Sequence, residues 1–115
     1  MYDPVLNLLY VSNTPGGGGG TKGESFISLV LLKAKVTNLK WVGGLNVPRG
    51  ITLSGRILYV ADNNRVVGID VNKNAIVNTY SPEGAKMFND VETNKKGDVY
   101  TFRYVGRIDI QIVQW

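Results

Sequence analysis

A short strand motif that recurs along the chain constrains the fold more than any other feature of the sequence. The motif carries a tyrosine each time, at Tyr10, Tyr59 and Tyr100, which are 49 and 41 residues apart. Each tyrosine lies in a short aliphatic, β-branched or aromatic run bounded by Gly, Asn or Asp, which is typical of a β-strand. A period of about 40–50 residues that holds several short strands indicates a repeat architecture.

The segments around the motif also predict strands. After a turn, each motif is followed by another apolar strand-like segment, at Phe26–Leu31, Arg65–Val71 and Gly106–Ile112. In the second and third of these, apolar residues occupy every other position, which places them on one face of a pleated sheet. No stretch has the apolar spacing of an amphipathic helix, so we expect an all-β protein with almost no helix.

One repeat is complete and contains four predicted strands. These strands are Gly50–Leu53, Ile57–Val60, Arg65–Val71 and Ala75–Tyr80. Four antiparallel strands per repeat of this length are typical of a β-propeller blade. We therefore predict a single partial propeller domain over residues 1–115, with blades at about 1–45, 46–87 and 88–115.

This length is too short for a closed propeller. A ring needs about 4–8 blades, whereas 115 residues hold about two and a half. We interpret the chain as part of a longer protein in preference to one subunit of a ring of copies, because stacked repeats normally need capping or closure. An incomplete ring exposes apolar blade faces, so we expect self-association through them.

Two missing residue types exclude much of enzyme chemistry. The chain has no Cys and no His, which excludes disulfides, thiolate or imidazole catalysis and metal sites built on sulfur. A metal site here would consist of oxygen ligands, which favours a divalent cation such as Ca²⁺. We predict no other cofactor.

Charge and apolar patterning limit the partners and the compartment. The net charge is +4, but the basic residues are scattered and no basic run is interleaved with aromatics, so we expect no nucleic-acid partner. The start of the chain lacks a signal-peptide pattern, and the apolar run Phe26–Leu32 is too short to span a membrane. The compartment stays open: cytoplasmic by default, or periplasmic if the chain is truncated.

A glycine-rich loop over residues 14–24 formally contains a dinucleotide-binding spacing at Gly18, Gly20 and Gly23. That motif works when a helix N-terminus follows and receives the pyrophosphate, whereas the residues that follow here predict a strand. A P-loop is excluded because Lys22 comes after Thr21. We therefore predict a flexible hairpin connection that binds no phosphate.

Several segments together suggest a family. They are Leu9–Asn13, Ser25–Ser28, Lys40–Ile51, Leu58–Asp62 and Gly84–Val91. In their order and spacing these segments resemble the gluconolactonase-like family (regucalcin-type, with NHL-type relatives), whose members form six-bladed propellers. The resemblance implies a divalent cation at the centre of the ring, held by oxygen side chains from several blades. Asn89 matches one such position, while the family's Glu would precede Tyr2 and its catalytic Asp would follow Trp115.

Four residues are candidates for a site. Asn89 and Asp90 are the metal candidates, with Asn89 as a ligand and Asp90 orienting it; alternatively, both bond the backbone at a strand entry. Arg49 is either an anchor for an anionic ligand group or a surface arginine. Asp62, close to Arg65, either contacts a ligand at the rim or braces its own turn.

These candidates support two functions from different classes. The first is a propeller segment that acts as a scaffold and binds a small molecule or a protein on its loop-lined face. The second is a metal-dependent lactone or ester hydrolase of the gluconolactonase type, in which the cation polarises a carbonyl and a carboxylate activates water. The second requires a ring completed by further blades or by oligomerisation, so whether the chain is an enzyme stays open. A third interpretation is a truncated gene product without activity.

Overall fold

The computed structural model describes residues 1–16, 22–104 and 108–113. For residues 103, 104 and 108–113 it describes the backbone but not the side chains. The regular elements of this part of the chain are all β-strands, so the predicted all-β fold with four-stranded antiparallel sheets is confirmed. No helix capable of crossing a membrane occurs among the described residues. The predicted glycine-rich connection lies partly outside them, because residues 17–21 are not described.

The chain divides into two compact units, Met1–Pro48 and Arg49–Trp115. The first unit contains one four-stranded sheet in which consecutive strands are neighbours. Its strands are β1 (Tyr2–Asp3), β2 (Leu8–Asn13), β3 (Ser25–Leu31) and β4 (Val36–Leu45).

The second unit contains two further sheets with the same sequential strand order. The four-stranded sheet comprises β5 (Pro48–Ser54), β6 (Ile57–Asp62), β7 (Arg65–Asp70) and β8 (Ala75–Tyr80). The three-stranded sheet comprises β9 (Phe88–Thr93), β10 (Val99–Tyr104) and β11 (Ile108–Val113). This sequential order follows from the short connections, because strands joined by tight turns pair with each other.

The tight turns of the second unit use residues that tolerate a left-handed backbone. Gly55 between β5 and β6 has φ of 59°, Asn63 between β6 and β7 has 62°, and Asn74 between β7 and β8 has 55°. Asn is the residue that adopts this conformation most readily after Gly. The turn chemistry therefore fixes where each strand of this sheet ends.

The core of the first unit is built around the first tyrosine of the repeated motif. The ring of Tyr10 lies 5.3 Å from the ring of Trp41, centroid to centroid. The Tyr10 hydroxyl donates a hydrogen bond of 2.5 Å to Oδ2 of Asp3, whose Oδ1 accepts from the backbone N–H groups of Val5 and Leu6. A buried carboxylate is thereby supplied with donors, as burial requires.

The core of the second unit joins its two sheets. Its buried members come from β6, β7, β9 and β10, and they are Tyr59, Ala61, Val66, Phe88, Val91 and Val99. Phe88, the first residue of β9, is 1% exposed. This cluster fixes the start of β9 against β6.

Candidate functional site

The topology brings all four candidate residues to one end of the second unit. Arg49 lies at the start of β5, and Asp62 is the last residue of β6. Because β5 and β6 are antiparallel neighbours joined by a tight turn, the start of one strand lies level with the end of the other. Asn89 and Asp90 lie near the start of β9, which reaches this end through the core contact of Phe88.

A close approach of two strands places Asp90 directly beside β5. A Cβ built on Gly50 would lie 2.1 Å from Oδ1 and 2.6 Å from Cα of Asp90. No real side chain tolerates such distances, so only glycine fits between the two backbones. Gly50 therefore sets the spacing between the strand that carries Arg49 and the strand that carries Asn89 and Asp90.

Arg49 carries the most unusual electrostatic feature of this end. Its side chain is partly exposed, but its Nη1 atom is buried and has no hydrogen-bond partner in the described part of the chain. Buried polar atoms almost always have partners, because losing their water without replacement costs free energy. A guanidinium offers five N–H donors in a planar fork that matches carboxylate and phosphate groups. Because Nη1 itself is closed to solvent, an anionic ligand group would approach the guanidinium through its exposed part.

Asp62 is held by its own turn. Its carboxylate is fully buried, and the Nε–H group of Arg65 donates to its Oδ2 at 2.8 Å across the Asn63–Asn64 turn. The Arg65 side chain is 21% exposed, so the ion pair is partly shielded from solvent. This is the geometry of a braced turn, and it fixes the end of β6 and the start of β7.

The metal candidates differ from each other in their hydrogen bonding. Both Asn89 and Asp90 are exposed. Oδ1 of Asp90 accepts a hydrogen bond of 2.8 Å from the backbone N–H of Val91, whereas no side-chain hydrogen bond of Asn89 is present within the described ranges. Calcium takes six to eight oxygen ligands, and no three acidic side chains of the described residues lie in a group that could hold a metal ion. A calcium ion held by Asn89 and Asp90 would need further oxygen ligands.

A cavity of about 410 Å³ opens at the same end, lined by Asn63, Asn64, Ala85, Lys86 and Met87. The backbone N–H of Phe88 donates to the carbonyl oxygen of Asn63 at 2.5 Å and ties the two loops together. Met87 has φ of 51°, a conformation that costs free energy for a side chain other than Gly, Asn or Asp. Such strain is often found at binding sites, and a methionine adapts well to apolar ligand surfaces.

The sequence prediction did not include Lys86 and Met87. No pattern in the sequence distinguishes a methionine with positive φ, and the Asn63–Asn64 pair predicts a turn rather than a cavity wall. The cavity combines an apolar floor with Lys and Asn donors, as small-molecule sites do.

A second cavity, of about 380 Å³, lies in the first unit beside the glycine-rich segment, between Gly23–Phe26 and Gly43–Gly44. The N–H of Gly23 donates to Oδ1 of Asn46 at 3.0 Å, so the last glycine of the formal dinucleotide spacing already has a partner. Lys40 places its ammonium 5.2 Å from the centroid of the Phe26 ring. These two contacts stabilise the end of the hairpin connection.

No protein-family model matches the chain, and neither the curated proteins nor the solved structures include a significant match. The resemblance to gluconolactonase-like propellers therefore stays a prediction, and the site is argued from its own geometry.

Proposed function

We propose that the chain is a segment of a β-propeller that acts as a scaffold and binds an anionic small molecule at the Arg49 end of its second unit. The sequential four-stranded sheets support the blade interpretation, because their strand order is that of a propeller blade. The observation that carries the binding function is the buried Nη1 atom of Arg49, which lacks a partner in the described structure.

The ligand class follows from the donors at this end. Arg49 supplies a charged fork for a carboxylate or phosphate. The cavity lined by Lys86 and Met87 is a separate feature of the same end, and Arg49 is not among its lining residues. Asp62 is engaged by Arg65 and keeps the turn in place. A small molecule with a carboxylate or phosphate group satisfies the requirement set by Arg49.

Thermal unfolding with simple anions tests this function. Inorganic phosphate and citrate are titrated into the purified chain, with sodium chloride matching the ionic strength. Binding to the folded state stabilises it by about 2.7 kcal/mol when the ligand reaches 100 times its Kd. This stabilisation raises the midpoint temperature of unfolding. We expect the rise in the parent protein and its loss in Arg49→Gln.

The matched control for this test is Lys73→Gln, which removes the same charge from the turn at the opposite end of the sheet. It should keep the anion response. An equal response in the parent, Arg49→Gln and Lys73→Gln would mean that the anions act through general salt effects, and no response in the parent would remove the proposed anion site.

The alternative function, a metal-dependent lactone or ester hydrolase, is supported by one observation: the side-chain amide of Asn89 is exposed and has no hydrogen bond within the described residues. Thermal unfolding with and without Ca²⁺ separates the two functions. The hydrolase interpretation expects a calcium-dependent rise that Asn89→Ala abolishes, whereas the anion-binding scaffold expects no response to calcium.

A further inference from the structure

Two turns lie side by side at one end of the four-stranded sheet of the first unit. The first turn, residues 4–7, joins β1 to β2, and the second, residues 32–35, joins β3 to β4. The pairing of β2 with β3 places Leu8 opposite Leu31, so the start of β2 and the end of β3 lie at the same end of the sheet. Because β2 and β3 are neighbours, the two turns lie two strand spacings apart, about 10 Å.

Both turns expose large apolar side chains at this end. Val5 is 71% exposed and Leu6 is 48% exposed in the first turn, and Leu32 is 54% exposed in the second. Leu31 and Val36, which flank the second turn, are also exposed. Single exposed apolar residues are ordinary on a protein surface, whereas a group of them in neighbouring turns indicates an interaction site.

Hydrogen bonds hold both turns in fixed conformations. In the first turn, Oδ1 of Asp3 accepts from the backbone N–H groups of Val5 and Leu6. In the second turn, the N–H of Ala34 donates to the carbonyl oxygen of Leu31 at 2.9 Å. The exposed apolar side chains therefore project from turns that are already ordered, which lowers the entropy cost of binding.

The exposed charge at this end is positive. The second turn carries Lys33 and Lys35, both exposed, on either side of Ala34. The first unit contains two acidic residues, Asp3 and Glu24. Asp3 is buried, and Glu24 precedes β3 at the opposite end of the sheet. An anionic surface that approaches the two turns therefore meets two ammonium groups and no exposed carboxylate among the described residues of this unit.

A lipid surface fits these two features better than a protein partner does. Apolar side chains beside lysines can enter the boundary between headgroups and acyl chains, while the ammonium groups stay at the level of the anionic headgroups. A stable protein interface involves about 20–30 residues on each side, whereas the two turns have four residues each. Insertion into lipid needs no such area, because each apolar side chain gains free energy by leaving water.

We propose that the two turns dock on an anionic lipid bilayer, with the apolar side chains of Val5, Leu6 and Leu32 below the headgroups. Lys33 and Lys35 then bind the anionic headgroups. The contact is peripheral, since only side chains of the two turns enter the bilayer. It weakens with salt, because the contribution of the lysines is electrostatic. This inference is independent of the anion site, which belongs to the second unit.

Cosedimentation with vesicles tests this contact. The parent protein should bind vesicles of equal parts phosphatidylcholine and phosphatidylserine, and should bind vesicles of phosphatidylcholine alone more weakly. Leu32→Ser should weaken binding about tenfold, because it removes an apolar side chain that leaves water on docking. Lys33→Gln and Lys35→Gln should each weaken binding to the anionic vesicles about fivefold.

Matched controls come from the same unit. Leu39→Ser replaces a leucine that is also exposed but lies within β4, and Lys22→Gln removes a charge at the opposite end of the sheet. Both should keep the binding of the parent protein. Equal losses in Leu32→Ser and Leu39→Ser would mean that any exposed leucine adsorbs to lipid, and would overturn the proposal.

Inorganic phosphate separates this contact from the anion site. Added at matched ionic strength, it should leave vesicle binding unchanged, because the bilayer contact depends on apolar insertion as well as on charge. Release of the protein from the vesicles by phosphate would assign the contact to the anion site and overturn the proposal.

A second measurement keeps the proposal testable if Leu32→Ser folds poorly. Leu32→Trp adds a fluorophore to the second turn, and anionic vesicles with brominated acyl chains should quench its added fluorescence, whereas that of Leu39→Trp should stay unquenched. Absence of this quenching overturns the proposal, as does a parent protein that does not bind the anionic vesicles. Sedimentation without lipid completes the test: dimers of the parent protein that Leu32→Ser abolishes would assign the turns to a second copy of this chain and overturn the lipid contact.

Discussion

The two four-stranded sheets share a strand order and a motif but differ in burial. In β6 every residue from Leu58 to Asp62 is buried, so both faces of that strand are covered. In β2 only Leu8 and Tyr10 are buried, and the side chains between and after them are partly or fully exposed. The comparison shows that the motif specifies a strand, while the surroundings of each copy decide how many of its faces are covered.

Equivalent residues make this difference measurable. Val60 follows the motif tyrosine in β6 and is 0% exposed, whereas Val11 follows the tyrosine in β2 and is 39% exposed. Burial of an aliphatic side chain contributes about 1.5–3 kcal/mol relative to exposure. The same residue type at the same motif position therefore contributes unequally to the stability of the two units.

The largest expected effect on stability comes from truncating the leucine that precedes the motif tyrosine. Leu58→Ala should reduce the free energy of unfolding by about 2–5 kcal/mol, because it removes a fully buried side chain and leaves a cavity. The equivalent Leu9→Ala should cost clearly less, since Leu9 is only partly buried. Denaturant unfolding measures both. Equal losses would contradict the difference in burial between the two sheets.

A smaller loss of stability is expected at Gly50 of β5, with Gly43 of β4 as its control. Gly50→Ala should destabilise the protein by about 1–3 kcal/mol, because the new Cβ meets the Asp90 backbone and forces β5 and β9 apart. Gly43→Ala in β4 serves as the control, since its Cβ meets nothing within 4 Å. Thermal unfolding of both variants checks the expectation; a neutral Gly50→Ala would show that the two strands separate easily.

The smallest expected effect is a gain in stability, whereas the two effects above are losses. Arg49→Met should raise the free energy of unfolding by about 1 kcal/mol, because it removes a buried donor that has no partner among the described residues and keeps the apolar part of the side chain. Lys33→Met, which replaces an exposed side chain in the turn between β3 and β4 of the first unit, should change stability little. Urea unfolding in a buffer free of phosphate measures both. A loss of stability in Arg49→Met would mean that Arg49 supports the fold rather than a ligand.

Much of the fold was predictable from local signals. The strands β6, β7 and β8 lie within a residue or two of their predicted positions, because Gly and Asn turns and alternating apolar residues act over short distances. The sequence predicted the candidate site residues one by one, but it did not predict how close they lie to each other in space. No local signal shows that Gly50 contacts Asp90 or that a methionine at position 87 lines a cavity, since both depend on residues far apart in sequence.

The sequence by itself determined the strands, their turns and the absence of histidine and cysteine chemistry, because these follow from residue types and their spacing. Only the tertiary structure decided that Arg65 pairs with Asp62, and that one Arg49 nitrogen is buried without a partner in the described chain. It also decided that β8 is an exposed edge strand, whereas the pairing of β4 is irregular. The physical reason is that burial and hydrogen-bond partners are properties of the packed chain. A residue acquires them from neighbours that the sequence does not place beside it.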